Sequence, residues 1–178
     1  MQKQTFSSVR KRLIELDRNA LISVVGELYA LNSNNRDFLS ARFVSSENSM
    51  EKYKKTIKKA LDPNVMSSSG KVSFRDANKA ISECRKAIGA GVGFAELIVF
   101  AFECGNNFTC EYGDMDESFY GSLTRLFVQA KNAVKELDPS EATPFIDRLS
   151  VAVDKADCIG WGYHDEISSI FYDAFSHE

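Results

Sequence analysis

Two glutamates stand alone in the apolar stretch FAELIVFAFEC, and their spacing is the first feature of this sequence that could do chemistry. Glu96 and Glu103 are seven residues apart, so on a helix they share a face and lie about 10 Å from each other. That exceeds the separation of a retaining carboxylate pair and would just admit a water-activating one. Glu103 falls in the last turn of this apolar run, where a carboxylate opposes the helix dipole and calls for a cation or donor nearby. A structural salt bridge is therefore the simpler reading. The other concentration of unusual residues is IGWGYHDEI, with the only tryptophan between two glycines and then one of two histidines. Gly160 and Gly162 would permit a tight corner that points Trp161 into the core, and Asp165 and Glu166 suit the positive end of a following helix. His164 beside carboxylates could serve as a general base. No serine or cysteine nucleophile motif accompanies it, so the corner reads as structural.

Four cysteines, Cys84, Cys104, Cys110 and Cys158, form no CxxC pair and read as free thiols of a reducing compartment. The alternative is a zinc site of Cys104, Cys110, Cys158 and His164, whose six-residue spacings are longer than a structural-zinc knuckle. The expectation is no metal and no cofactor. The glycine-rich GAGVG after Arg85 and Lys86 superficially resembles a phosphate loop, but it lacks a preceding strand and a GK[ST] ending. It reads as a helix-terminating turn.

Charge separates along the chain. Residues 1–88 hold 17 Lys/Arg against 9 Asp/Glu, a net of +8, whereas residues 89–178 hold 5 against 16, a net of −11. Such asymmetry points to an acidic partner, an anionic polymer or a second copy. The candidate surface is Lys52, Lys54, Lys55, Lys58 and Lys59 together with Arg10, Lys11 and Arg12. A lysine-rich amphipathic helix is most often a solvated face, and no nucleic-acid-binding signature accompanies this one.

The elements that must position these residues are helical nearly throughout. With 44% hydrophobic and 26% charged residues over 178 positions, the composition is that of a single soluble domain with a sizeable core. The longest apolar run, Leu97–Phe102, is far short of the roughly 20 residues of a membrane helix. The start, MQKQTFSSVRKRL, lacks a secretory core, which points to a cytoplasmic protein without membrane contact. Apolar residues recur with helical rather than alternating period, predicting an all-α fold of about eight helices in an irregular antiparallel bundle. Residues 1–178 form one domain, with a division into a basic lobe 1–62 and an acidic lobe 73–178 joined near 63–72.

Within that frame the spacing predicts a first helix to about Leu16 and a second capped by Asp17, with Leu21, Val24, Val25, Leu28 and Leu31 inward. RDFLSARF should bury Phe38, Leu39 and Phe43, and a helix capped by Ser49 should bury Tyr53, Ile57 and Leu61. Ser73 with Asp76 opens the helix of Phe74, Ala77, Ile81, Cys84 and Ile88. FAELIVFAFEC should be the central helix, ending in a loop at Gly105-Asn106-Asn107. Asp114 and Glu117 then start a long helix, Thr143-Pro144 is the favoured start of the next over Asp138-Pro139, and the last follows IGWGYHDE.

The segments ALISVVGELYAL, NRDFLSARF, YKKTIKKALDP, AELIVFAFECG, EYGDMDESFYGSL and IGWGYHDEI, in that order, resemble a bacterial family of uncharacterised small helical proteins, the domain of unknown function numbered 6155. The resemblance covers most of the chain and is most specific in the last two segments. It implies a helical fold and carries over no activity, cofactor or catalytic residue. The reading of the residues is a non-enzymatic protein-interaction module that meets an acidic protein or another copy of itself. Its alternatives are a nucleic-acid-associated protein using the basic half and a small hydrolase-like enzyme around Glu103, His164 and Asp165.

Overall fold

The structure, a computed structural model, describes residues 5–43, 47–66 and 70–175. Among them are nine helices and no strands: α1 (Phe6–Ile14), α2 (Arg18–Leu31), α3 (Ser33–Phe43), α4 (Glu47–Leu61), α5 (Phe74–Ile88), α6 (Val92–Tyr112), α7 (Glu117–Lys135), α8 (Pro139–Lys155) and α9 (Tyr163–Phe175). No described helix is long and apolar enough to cross a membrane.

The bundle is built around α6. It carries twelve buried residues, more than any other helix, and packs against α7, α4, α8 and α5, while α9 closes the far side on α7 and α8. Its mostly apolar circumference dictates that position, because a helix that is hydrophobic all round must be enclosed. α6 does not stop at Cys104, as the sequence suggested, but runs two further turns through Gly105, Asn106 and Asn107. The reason is tertiary. A Cβ at Gly105 would meet Leu123 Cδ1 at 2.7 Å, so glycine lets α7 approach closely, and the Asn106 amide finds partners on α8 and α9. These contacts outweigh the poor helix propensity of both residue types.

Other starts also moved. The N-cap of α7 is Asp116, whose side chain accepts from Phe119 N at 2.8 Å, rather than Asp114. α4 begins at Glu47, placing Ser49 inside it. α8 begins at Pro139 with Pro144 inside the helix, not at Thr143. Pro139 takes the first helical position, where its missing N–H costs nothing, and the earlier turn buries Ala142. That burial offsets the hydrogen bond lost at Pro144.

The expected division near 63–72 does not separate two cores. Tyr53, Ile57 and Leu61 of α4 lie in the same apolar cluster as α5 to α9; the serines at 67–69 fall outside the described residues. What stands apart is the N-terminal segment: α3 packs on α5 and, less, on α4; α2 packs mainly on α3. Neither α1 nor α2 buries any residue. The inward faces expected for Leu21, Val25, Leu28 and Leu31, and for Phe38 and Phe43 on α3, are exposed, with Val24 and Leu39 half-covered. The helical period correctly placed these residues on stripes, but periodicity does not say whether another element lies opposite the stripe.

Candidate interaction surface

Between Phe6 and Phe43 twelve large apolar side chains are exposed, against seven in the remaining described chain. Phe6 and Phe43 are each 74% exposed, and Ile14 is 72%. On α2 the bare residues Leu21, Ile22, Val25, Leu28 and Tyr29 follow the i, i+1, i+4, i+7, i+8 pattern of a single face. Between α2 and α3 this face meets a groove of about 460 Å³ whose lining includes Ile22, Val25, Gly26, Tyr29, Ser40 and Phe43. The segment is locally well formed: Asp17 caps α2 by accepting from Ala20 N at 2.8 Å, and Asn35 Nδ2 donates to Leu28 O at 2.9 Å, tying α3 to α2. Its exposure belongs to its packing rather than to missing helix signals.

The basic helix is only partly a free surface. Lys52 is paired with Asp37 of α3, Lys54 Nζ donates to Glu96 Oε1 at 2.6 Å, and Lys55 lies 4.0 Å from Glu51. Lys58 and Lys59 line a groove that also holds Asp62. Arg10 and Lys11 are exposed on α1, where Arg12 meets Glu15, and α1 is not among the main neighbours of α4. The charge asymmetry is thus spent in part inside the molecule: Lys54 of the basic half reaches a carboxylate of the acidic half.

That carboxylate belongs to a network that explains the glutamate pair. Arg148 of α8 donates from Nε to Glu103 Oε1 at 2.8 Å and from Nη2 to Glu103 Oε2 at 2.6 Å, while its Nη1 reaches Glu96. Seven-residue spacing brings both carboxylates to one guanidinium. Arg148 was the residue sequence reasoning missed; the signal was a lone arginine in FIDRLSVAV, beside buried Phe145 and Leu149. Burial pushes the Glu96 carboxyl up, but hydrogen bonds from Lys54 and Arg148 and their charges more than reverse it, leaving it below the ordinary value. A carboxyl held low in the folded state contributes stability that is complete above its unfolded value and is lost as the pH falls through the folded one. Melting temperature is therefore expected to decline below about pH 4.3, with a shallower decline in Glu96→Gln. An equal decline in both proteins would remove Glu96 from the acid response.

His164 Nε2 is 3.2 Å from Ser168 Oγ in its own helix, and its Nδ1 lies 3.9 Å from exposed Asp165. Glu103 is held by two bonds from Arg148 of α8, whereas His164 and Asp165 are neighbours at the start of α9. The cysteine–histidine set is not assembled: among the described residues, no three His, Cys, Asp or Glu side chains are placed to hold a metal ion. Cys104 is buried, its thiol pushed up to about 12 chiefly by that burial, and Cys84 is pushed up to about 11 in the same way. Cys110 Sγ contacts Lys155 O at 3.4 Å, and Cys158 is exposed.

Trp161 reverses its expectation. It is 67% exposed, and the side chain the corner drives into the core is Tyr163. Trp161 itself takes a left-handed backbone, φ 63°, followed by Gly162 at φ 69°. Two successive left-handed residues turn the chain so that Ile159 and Tyr163 face inward and the indole faces out. Trp161→Ala is accordingly expected to change unfolding free energy by no more than about 0.5 kcal/mol, and iodide should quench the native fluorescence readily. A loss of several kcal/mol, or a shielded indole, would restore the core role. No family model, curated protein or solved structure matches the chain.

Proposed function

We propose that this chain is a non-enzymatic protein-interaction module whose working surface is the apolar face of α1–α3. The observation that carries the reading is the concentration there of twelve exposed large apolar side chains, on helices of which two bury nothing. Monomeric proteins rarely bare a contiguous apolar patch beyond a few hundred Å², and larger ones mark interaction sites. The titratable residues first considered for catalysis support the same reading, since Glu96 and Glu103 are occupied by Arg148 and Lys54.

The test compares the wild-type chain with an Ile22→Glu/Val25→Glu variant, both immobilised, in protein capture from an extract of the native cells. Both positions are exposed, so the fold should survive. The expected result is at least one protein, the chain itself included, retained by the wild type and lost by the variant. Identical capture by both would remove the α1–α3 face from the function.

A further inference from the structure

We propose that the partner of this face is a second copy of the chain, in a two-fold pair that seats α1 of each copy in the α2–α3 groove of the other. This rests on the interaction reading above and names its occupant. The first argument is area. The twelve side chains of this segment together bare on the order of 1,000 Å², the scale of the roughly 800 Å² per partner of a standard stable interface, so the segment carries enough apolar surface for a pair.

The second argument is shape. α1 is nine residues long and buries none of them. So short a helix is marginal in water unless it lies on something. Phe6, Val9 and Leu13 recur at i, i+3 and i+7 and form an apolar edge, with Arg10, Lys11 and Arg12 disposed around the rest of the helix. The groove offers the complementary form. A Cβ at Gly26 meets nothing within 4 Å, so the lining there is open to side chains arriving from outside, as a groove that takes an amphipathic helix must be. Helix and groove both belong to the N-terminal segment, so a two-fold pair satisfies both copies; a head-to-tail contact would leave an unfilled groove at the end of every assembly.

The third argument is charge. Residues 5–43 hold six basic and four acidic side chains, so two copies meet there with little net repulsion. The excess of lysine is on α4 instead, five against two acids. A strongly acidic foreign protein would be drawn to α4 and not to this nearly balanced apolar face.

Sedimentation velocity of the whole chain, from about 1 to 200 μM, is expected to show a species of twice the 19.9 kDa chain mass. Its midpoint should lie in the micromolar range and shift less than about threefold between 0.1 and 0.5 M salt. Ile22→Glu should weaken the pair at least about 30-fold, as loss of a central apolar anchor does. Gly26→Gln should do the same by filling the groove, while melting no lower than wild type, because glutamine is the better helix former and the space is open. A chain that stays monomeric at 200 μM, a dimer indifferent to both substitutions, or a mass that keeps growing past the dimer overturns the proposal. If the chain is monomeric but the double variant loses a foreign protein in the capture experiment, the second-copy proposal falls and the interaction reading stands. If it neither pairs nor loses a captured protein, both fall.

Discussion

Replacing Arg148 with methionine is expected to lower the unfolding free energy by about 2–3 kcal/mol. The guanidinium satisfies both oxygens of Glu103 and one of Glu96, and Lys54 holds the remaining Glu96 oxygen. Three helices, α4, α6 and α8, meet at this cluster. Removing the arginine leaves Glu96 with one cation and Glu103 with none of its guanidinium bonds. Stranding a fully buried carboxylate costs about 3–5 kcal/mol, but these side chains keep between a quarter and a third of their surface exposed, so water screens part of the loss. Methionine keeps most of the apolar stem but loses the guanidinium that lies over the Phe145 ring at 5.8 Å, so the measured loss includes that contact. The paired change Arg148→Met with Glu103→Leu should recover at least half of the loss, because a cation and its carboxylate leave together. Urea unfolding of the single and double variants decides it. A cost under about 0.5 kcal/mol for Arg148→Met would mean the cluster is a surface pair that happens to be well ordered.

The same cluster shows where the sequence was legible and where it was not. A seven-residue spacing is enough to put Glu96 and Glu103 on one face, and the dipole argument for Glu103 correctly demanded a cation. Which cation could not be read, since Arg148 lies 45 residues further along and only the packing of α8 on α6 brings it there. Caps written in adjacent residues were readable in the same way: Asp17 and Ser73 cap α2 and α5 as their spacing predicts. The α6 terminus was not, because Gly105 and Asn106 look like a loop to any local rule and are helical only through Leu123, Ala152 and Tyr163.

Trp161 and the α2 stripe failed for one shared reason. Local pattern locates an apolar side chain on a face or at a corner, but burial depends on what the rest of the chain places opposite. At the corner, two side chains competed for one interior site, and Tyr163 won, since its hydroxyl reaches a buried amide partner while its ring packs on Tyr120 at 5.0 Å. The indole, carried by the residue with the left-handed backbone, is turned outward. On α2 nothing competes: the stripe is apolar and the described residues provide no cover. Within the candidate surface, Leu21, Val25, Leu28, Leu31, Phe38 and Phe43 are positions at which burial was expected and not delivered.

Asn106→Ala is expected to cost about 3–4 kcal/mol, the largest effect of any single substitution outside the apolar core. Asn106 is fully buried; its Nδ2 donates to Ala152 O at 2.8 Å, and its Oδ1 accepts from the Tyr163 hydroxyl at 2.7 Å. Burial pushes the Tyr163 phenol well above its ordinary value, so it remains a donor throughout the accessible pH range. Alanine abandons both partners at once. Each buried polar group left unsatisfied costs about 1–3 kcal/mol, far more than the roughly 1 kcal/mol net value of the bond when formed, and the missing amide also leaves a small void. Tyr163→Phe removes one donor with little change in volume and should cost only about 1–1.5 kcal/mol. The ordering of these two variants is the discriminating result: if the amide works by satisfying two groups, Asn106→Ala must exceed Tyr163→Phe by about 2 kcal/mol, and combining them must cost less than their sum because the phenol is no longer stranded. Native-state hydrogen exchange should show amides of α9 opening first, since Asn106 is the polar tie from α6 to both α8 and the start of α9. Equal costs for the two variants, or strict additivity, would mean that Asn106 contributes packing alone and that the continuation of α6 past Cys104 rests on Gly105 and its close approach to Leu123.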